Sequence, residues 1–218
     1  MSNDLNTRFK ESVRWSFALN LLYGFCIVGI ALLVPTTAQT VIAILGGVYA
    51  LYYIFFRKYN KAELFWNSCG LFVVSMCIGS LVGGQMDAES LISVGVGISL
   101  VDVLSFTKYG RKTLNAKAMS NTNLLAKLIL YGKNKEGKLI PTTGFGDYLY
   151  YSVWVSGVAM LTGSPLHTAL GAALIYIGTG LNCLVISRLY KKENYKGLPA
   201  TILPFLCVLP LLIFINSR

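Results

Sequence analysis

Apolar runs of about twenty residues recur along this chain, and that is the length a helix needs to cross a hydrocarbon core about 30 Å thick. Inside lipid every backbone N–H and C=O must be paired within the structure, so such runs form helices. Seven are expected: Trp15 to Val34, Ala38 to Phe56, Leu64 to Gly83, Leu91 to Thr107, Phe145 to Gly163, Leu166 to Ser187 and Leu198 to Ile215. The expected fold class is therefore all-α, a polytopic transmembrane helical bundle. A composition that is 55% hydrophobic and 13% charged excludes an ordinary soluble domain of 218 residues.

The net charge of +10 could suggest nucleic acid, but its distribution points to topology. Of the nineteen Lys and Arg, all but Arg218 precede the first run or fall in the second, fourth and sixth loops. Basic residues gather on the cytoplasmic side, which gives a cytoplasmic N-terminus and an external C-terminus. They serve as orientation signals that also touch lipid headgroups, and nucleic-acid binding is not expected. The polar start MSNDLNTRFKESVR is followed by no small-residue cleavage site, so the first run reads as a retained helix.

Cys26, Cys69, Cys77, Cys183 and Cys207 all lie in expected spans without CxxC spacing and read as small core residues. Glycines such as Gly46, Gly79, Gly83, Gly95 and Gly178 read as close-packing positions, and Asn20, Asn67 and Asn182 as interhelical hydrogen-bonding groups. His167, the single histidine, has no ligand partner beside it, so no metal site is expected. The chain divides into an N-terminal part (1–112) with four spans, a cytoplasmic loop (113–140) and a C-terminal part (141–218) with three spans. Within the loop, Leu124, Leu125, Leu128 and Ile129 fall at helical spacing among lysines, predicting a surface helix, and 133–139 reads as a polar turn.

Seven of the nine acidic residues lie in loops or tails. The exceptions are Asp102 and Asp147, each of which costs roughly 2.5 to 3.5 kcal/mol at the centre of a bilayer and less near an interface. Asp102 stands six residues before Lys108, or about 9 Å below the cytoplasmic end of its helix at 1.5 Å per residue. Asp147 enters from the same side at roughly 6 to 9 Å, so two antiparallel helices bring their acids to one level. Gly95, Ser99 and Ser105 make a small polar stripe around Asp102, and Tyr150, Tyr151 and Trp154 place rings able to line a wet cavity on the face of Asp147.

Two facing carboxylates in a low dielectric cannot both ionise freely and share one proton, so the pair holds an acid and a base at once. One member can take a proton from water while the other polarises a peptide carbonyl, chemistry that needs no metal or cofactor. Structural roles are also open. Asp147 can cap its helix, Asp102 can pair with Asn67 or Asn182 or reach the basic loop, and Pro199 can be a first-turn proline.

The segments 99-SLVDVLSFTK-108, 144-GFGDYLYYSV-153 and 197-GLPATILPF-205 together resemble the intramembrane GxGD aspartyl proteases, which comprise presenilin, signal peptide peptidase and their microbial homologues. Val101 stands where the family usually has Tyr before its first aspartate, and Thr201 departs from the family's Pro-Ala-Leu. The likeness covers roughly Ser90 to Phe205, and seven spans would correspond to loss of the first two of the family's usual nine. It implies Asp102 and Asp147 as the catalytic pair, with Gly144, Phe145, Gly146, Leu198, Pro199 and Ala200 around the substrate. It also implies membrane-spanning proteins or peptides as substrates, cut near the cytoplasmic side of what is expected to be a prokaryotic cell membrane. The charge-derived orientation is that of presenilin and not of the inverted signal peptide peptidase. Alternatives are a prepilin or preflagellin peptidase, a small transporter or channel that uses the two aspartates as ligands, and a catalytically inactive helper subunit. The oligomeric state is left open.

Overall fold

A computed structural model describes residues 2–105, 107, 121–134, 136–189 and 199–217. Eight helices and one hairpin are described in the order α1 (Ser2–Leu33), α2 (Thr36–Phe55), α3 (Leu64–Gly83), α4 (Ala88–Ser105), α5 (Thr122–Leu128), β1 (Ile129–Lys133), β2 (Leu139–Gly144), α6 (Phe145–Thr162), α7 (Pro165–Leu189) and α8 (Ile202–Asn216). Five stretches are long and apolar enough to cross a membrane: Phe9–Leu33 within α1, then α2, α3, α4 and α7. The chain is a membrane protein. Its two remaining long helices depart from the expected pattern. α6 carries an aspartate and three tyrosines in its first two turns. α8 is apolar but has only 15 residues, or about 22 Å at 1.5 Å per residue.

The low hydropathy of α6 has a structural reason, because this helix is the axis of the bundle. It touches α1, α3, α4, α7 and α8, and every residue from Tyr151 to Ala159 is buried. A helix walled in by protein needs no apolar face toward lipid. Its closest neighbour is α3, where Gly79 and Gly83 let the two backbones meet. A Cβ on Gly79 would strike the Leu149 carbonyl oxygen and the Ser152 Cβ, and one on Gly83 would strike the backbone of Val153. On the opposite side Gly157 of α6 receives Leu91 of α4. Tyr23, Phe72, Tyr148, Tyr151, Trp154 and Phe205 stack edge to face or tilted through the centre, with neighbouring ring centroids 5.0–6.3 Å apart. The Tyr23 and Ser152 hydroxyls pair at 3.1 Å across α1 and α6. Gly163, in the left-handed region at φ 57°, ends α6 and returns its N–H to the Ala159 carbonyl.

The 113–140 loop differs from the expectation. Its surface helix is present as α5, but it stops at Leu128, and Ile129 opens a strand. Ile-Leu-Tyr and Leu-Ile-Pro-Thr-Thr flank the polar turn, and the segments pair antiparallel with Ile129 opposite Gly144. Asn134 organises the turn by accepting from the Glu136 and Lys138 N–H groups, with Gly137 at φ 74°. Leu130 and Ile140 are each 3% exposed, so the hairpin docks into the bundle. Trp15 lies over Gly132, Ser12 donates to the Pro141 carbonyl at 2.6 Å, and the Lys133 ammonium lies 4.0 Å from the Phe65 ring centre. Lys127 of α5 is buried and donates to the carbonyls of Tyr53, Ile54 and Arg57, closing the C-terminus of α2.

Candidate functional site

The hairpin delivers the chain to Asp147. Gly144 ends β2 in an extended conformation (φ −71°, ψ 149°) and is also the N-cap of α6. Asp147 is the third residue of the helix, and its Oδ2 accepts the Gly144 N–H at 3.1 Å. Asp147 is therefore not the N-cap of its helix; Gly144 is, and the carboxylate in the first turn reaches back three residues to the N-cap N–H. A Cβ on Gly144 would lie 3.0 Å from that carboxylate oxygen, so glycine keeps the acid uncovered. Gly146 is exposed, with open space where a side chain would project. Phe145 turns the other way, packing between the central core and the smaller cluster of Ala50, Tyr53 and Leu71.

Asp102 sits in the last two turns of α4. Its Oδ2 accepts from the Thr201 N–H at 3.2 Å and the Thr201 hydroxyl at 2.8 Å. The expected alternatives of Asn67 and Asn182 are engaged elsewhere: Asn67 accepts from the Tyr49 hydroxyl across α2 and α3, and Asn182 donates to the Ala200 carbonyl at 2.6 Å. Ala200 O also accepts the Tyr151 hydroxyl at 3.1 Å. The segment before α8 thus joins three helices, with Ala200 held by α6 and α7 and Thr201 gripping α4. Asp102 and the helix of Asp147 are thereby tied through one short segment, Thr201 bonding Asp102 and Ala200 bonding Tyr151, one turn beyond Asp147. Both carboxylates are half-buried.

Several expectations need correction. Tyr151 and Trp154 do not line a wet cavity; at 1% and 0% exposure they belong to the closed aromatic core, and only Tyr150 stays half-open beside the acids. Pro199 is not a first-turn proline, since α8 begins at Ile202 and Pro204 occupies its first turn. The Ala200 carbonyl is not free for another chain, because two donors already meet it. In the stripe around Asp102, Gly95 admits the Phe205 ring and the Ser99 hydroxyl is buried, whereas Ser105 bonds back to the Val101 carbonyl of its own helix. Leu198 lies outside the described residues.

The expectation that the two acid-bearing helices run side by side also changes. α4 packs mainly on α8 and meets α6 over a shorter stretch. Its buried residues are Ala88, Leu91 and Gly95, all in its first half. Beyond Gly95 the helix is loosely covered, and the Pro-Ala-Thr segment spans the distance to α6. Thr201 is the site residue that sequence reasoning passed over. The available signal was a hydroxyl residue next to the Pro-Ala pair, where the resemblance had flagged only a departure. Among the described residues no group of three His, Cys, Asp or Glu side chains converges as a metal site would require. Compared with known proteins, the chain matches no family model, and no curated protein and no solved structure is significantly similar to it.

Proposed function

We propose that the chain is an intramembrane aspartyl endopeptidase of the presenilin and signal peptide peptidase type, with Asp102 and Asp147 as its catalytic pair. The observation that carries this reading is the joining of the two acid-bearing helices through the Pro-Ala-Thr segment, which bonds to Asp102 on one side and to Tyr151, one turn beyond Asp147, on the other. Here one extended glycine lead-in and one tethered loop hold both acids at the edge of the core, with open space over Gly146.

In this reading seven helices cross the membrane, α6 enclosed by protein and α8 completing the count, with the N-terminus cytoplasmic. The substrate is a membrane-spanning segment unwound near its cytoplasmic end, lying along Gly144 and Gly146. One carboxylate takes a proton from water as the oxygen attacks the scissile carbonyl carbon, and the other gives its proton to the carbonyl oxygen. The resulting gem-diol collapses as the C–N bond breaks and the amine leaves with a proton from the pair. Loose packing of the inner half of α4 supports access from that side.

The test is incubation of the purified chain in detergent with a labelled single-span substrate, beside Asp102→Asn and Asp147→Asn. Asn keeps an acceptor for the Gly144 N–H, so Asp147→Asn should melt close to wild type while losing cleavage. Cleavage by both single variants at a substantial rate overturns the assignment. Ion flux in liposomes without peptide cleavage would favour a transporter, and cleavage restricted to a pilin leader would favour the prepilin peptidases.

A further inference from the structure

We propose that Thr201 is a positioning residue that fixes the Asp102 carboxylate for the reaction, an inference that rests on the protease reading. Threonine at a helix N-cap ordinarily turns its oxygen to the N–H groups of its own first turn. Thr201 occupies that position in α8 and makes no side-chain cap. Its hydroxyl instead donates to Asp102 Oδ2 at 2.8 Å, and its backbone N–H reaches the same oxygen at 3.2 Å. The hydroxyl's single proton is thus committed to an acid on another helix.

The surroundings explain what the contact accomplishes. Thr201 is 3% exposed, and its carbonyl accepts the Phe205 N–H at 3.0 Å, so it is fixed to α8. The preceding carbonyl is fixed to α6 and α7 through Tyr151 and Asn182. Asp102, by contrast, lies on the half of α4 that has no buried residue. Packing therefore does little to hold its side chain, and a donor from a rigid neighbour does it instead. Both donors end on Oδ2, and in the protease reading Oδ1 is the oxygen left for water and substrate. The leucine of the family's Pro-Ala-Leu pattern could offer the N–H but no hydroxyl, so the second donor is a property of this sequence.

The experiment uses the full chain in detergent with the labelled single-span substrate and compares Thr201→Val, Thr201→Ala and Thr201→Ser. Losing a hydrogen bond to a charged acceptor should lower kcat about 10- to 100-fold in the Val and Ala variants, with KM within about twofold. Thr201→Ser should return kcat to within about threefold of wild type. Infrared spectra without substrate, with the Asp102 bands identified from Asp102→Asn, should show the carboxylate stretch displaced in Val and Ala and restored in Ser. This readout needs no turnover and only one folded hydroxyl-free variant. Wild-type kcat in a hydroxyl-free variant, a loss confined to KM, or an unmoved carboxylate band would overturn the proposal. If both Asn variants are inactive while Thr201→Val is not, the positioning role alone fails. If Asp102→Asn still cleaves, the protease reading fails.

Discussion

α2 and α6 are of nearly equal length, 20 and 18 residues, yet they live in opposite surroundings. α2 has Val41, Ile44, Leu45, Val48 and Leu51 each more than half exposed, and its buried residues are Gln39, Ala50 and Tyr53. α6, with its aspartate, serines and tyrosines, has ten buried residues. The more apolar helix is outside and the more polar one inside. In water the hydrophobic effect would favour the reverse. In lipid it does not distinguish a neighbouring helix from an acyl chain, so close backbone approach and interhelical hydrogen bonds decide who sits at the centre. A helix largely enclosed by protein can then carry a carboxylate at the core's edge.

The contrast can be broken most forcefully at Trp154. Replacing this fully buried ring with Ala should cost about 4 kcal/mol, measured as loss of thermal stability in detergent, and a drop below about 1 kcal/mol would mean α6 is not the packed axis. Next is Gly79→Val, which sets a side chain against the α6 backbone and should cost about 3 kcal/mol. Gly97→Val, where a Cβ meets nothing within 4 Å, is the control and should change stability by less than about 0.5 kcal/mol. Lys127→Met strips the buried donor from the Tyr53 and Ile54 carbonyls of α2 and the Arg57 carbonyl just beyond it. It should cost about 2 kcal/mol and increase protease sensitivity in the α5 region, since this lysine ties the short helix before the hairpin to an outer helix. The smallest effect belongs to the lipid-facing side: Val48→Ala in α2 should stay within about 0.5 kcal/mol of wild type. A large loss there would place Val48 in a protein contact.

Legibility in the sequence tracked how local the physics was. The two glycines just before Asp147 and the unusual retention of two acids in apolar runs could be read directly, because the cost of a charge in lipid depends little on the partner. Interhelical roles for Asn67 and Asn182 were readable in kind but not in partner, since Tyr49 and Ala200 come from distant positions. The hairpin was missed because helical spacing through Ile129 looked continuous. The β-branched and aromatic residues flanking Lys133 to Leu139 were the competing signal. The ring stripe on α6 was read as the wall of a cavity, whereas those rings fill the core, and periodicity cannot tell a wet face from a packed one.

From its own residues the chain determined a membrane-embedded helical protein, with basic residues confined to alternate loops and two acids within or at the edge of apolar runs. Those properties follow from transfer of groups between water and hydrocarbon, which each segment pays individually. What only the folded arrangement decided was that α6 lies at the centre, that a hairpin leads into Asp147, and that Thr201 holds Asp102 while Ala200 is held from α6 and α7. These depend on which backbones approach most closely and which donors meet which acceptors across 99 residues in the case of Thr201 and Asp102, and no local pattern encodes a contact of that range.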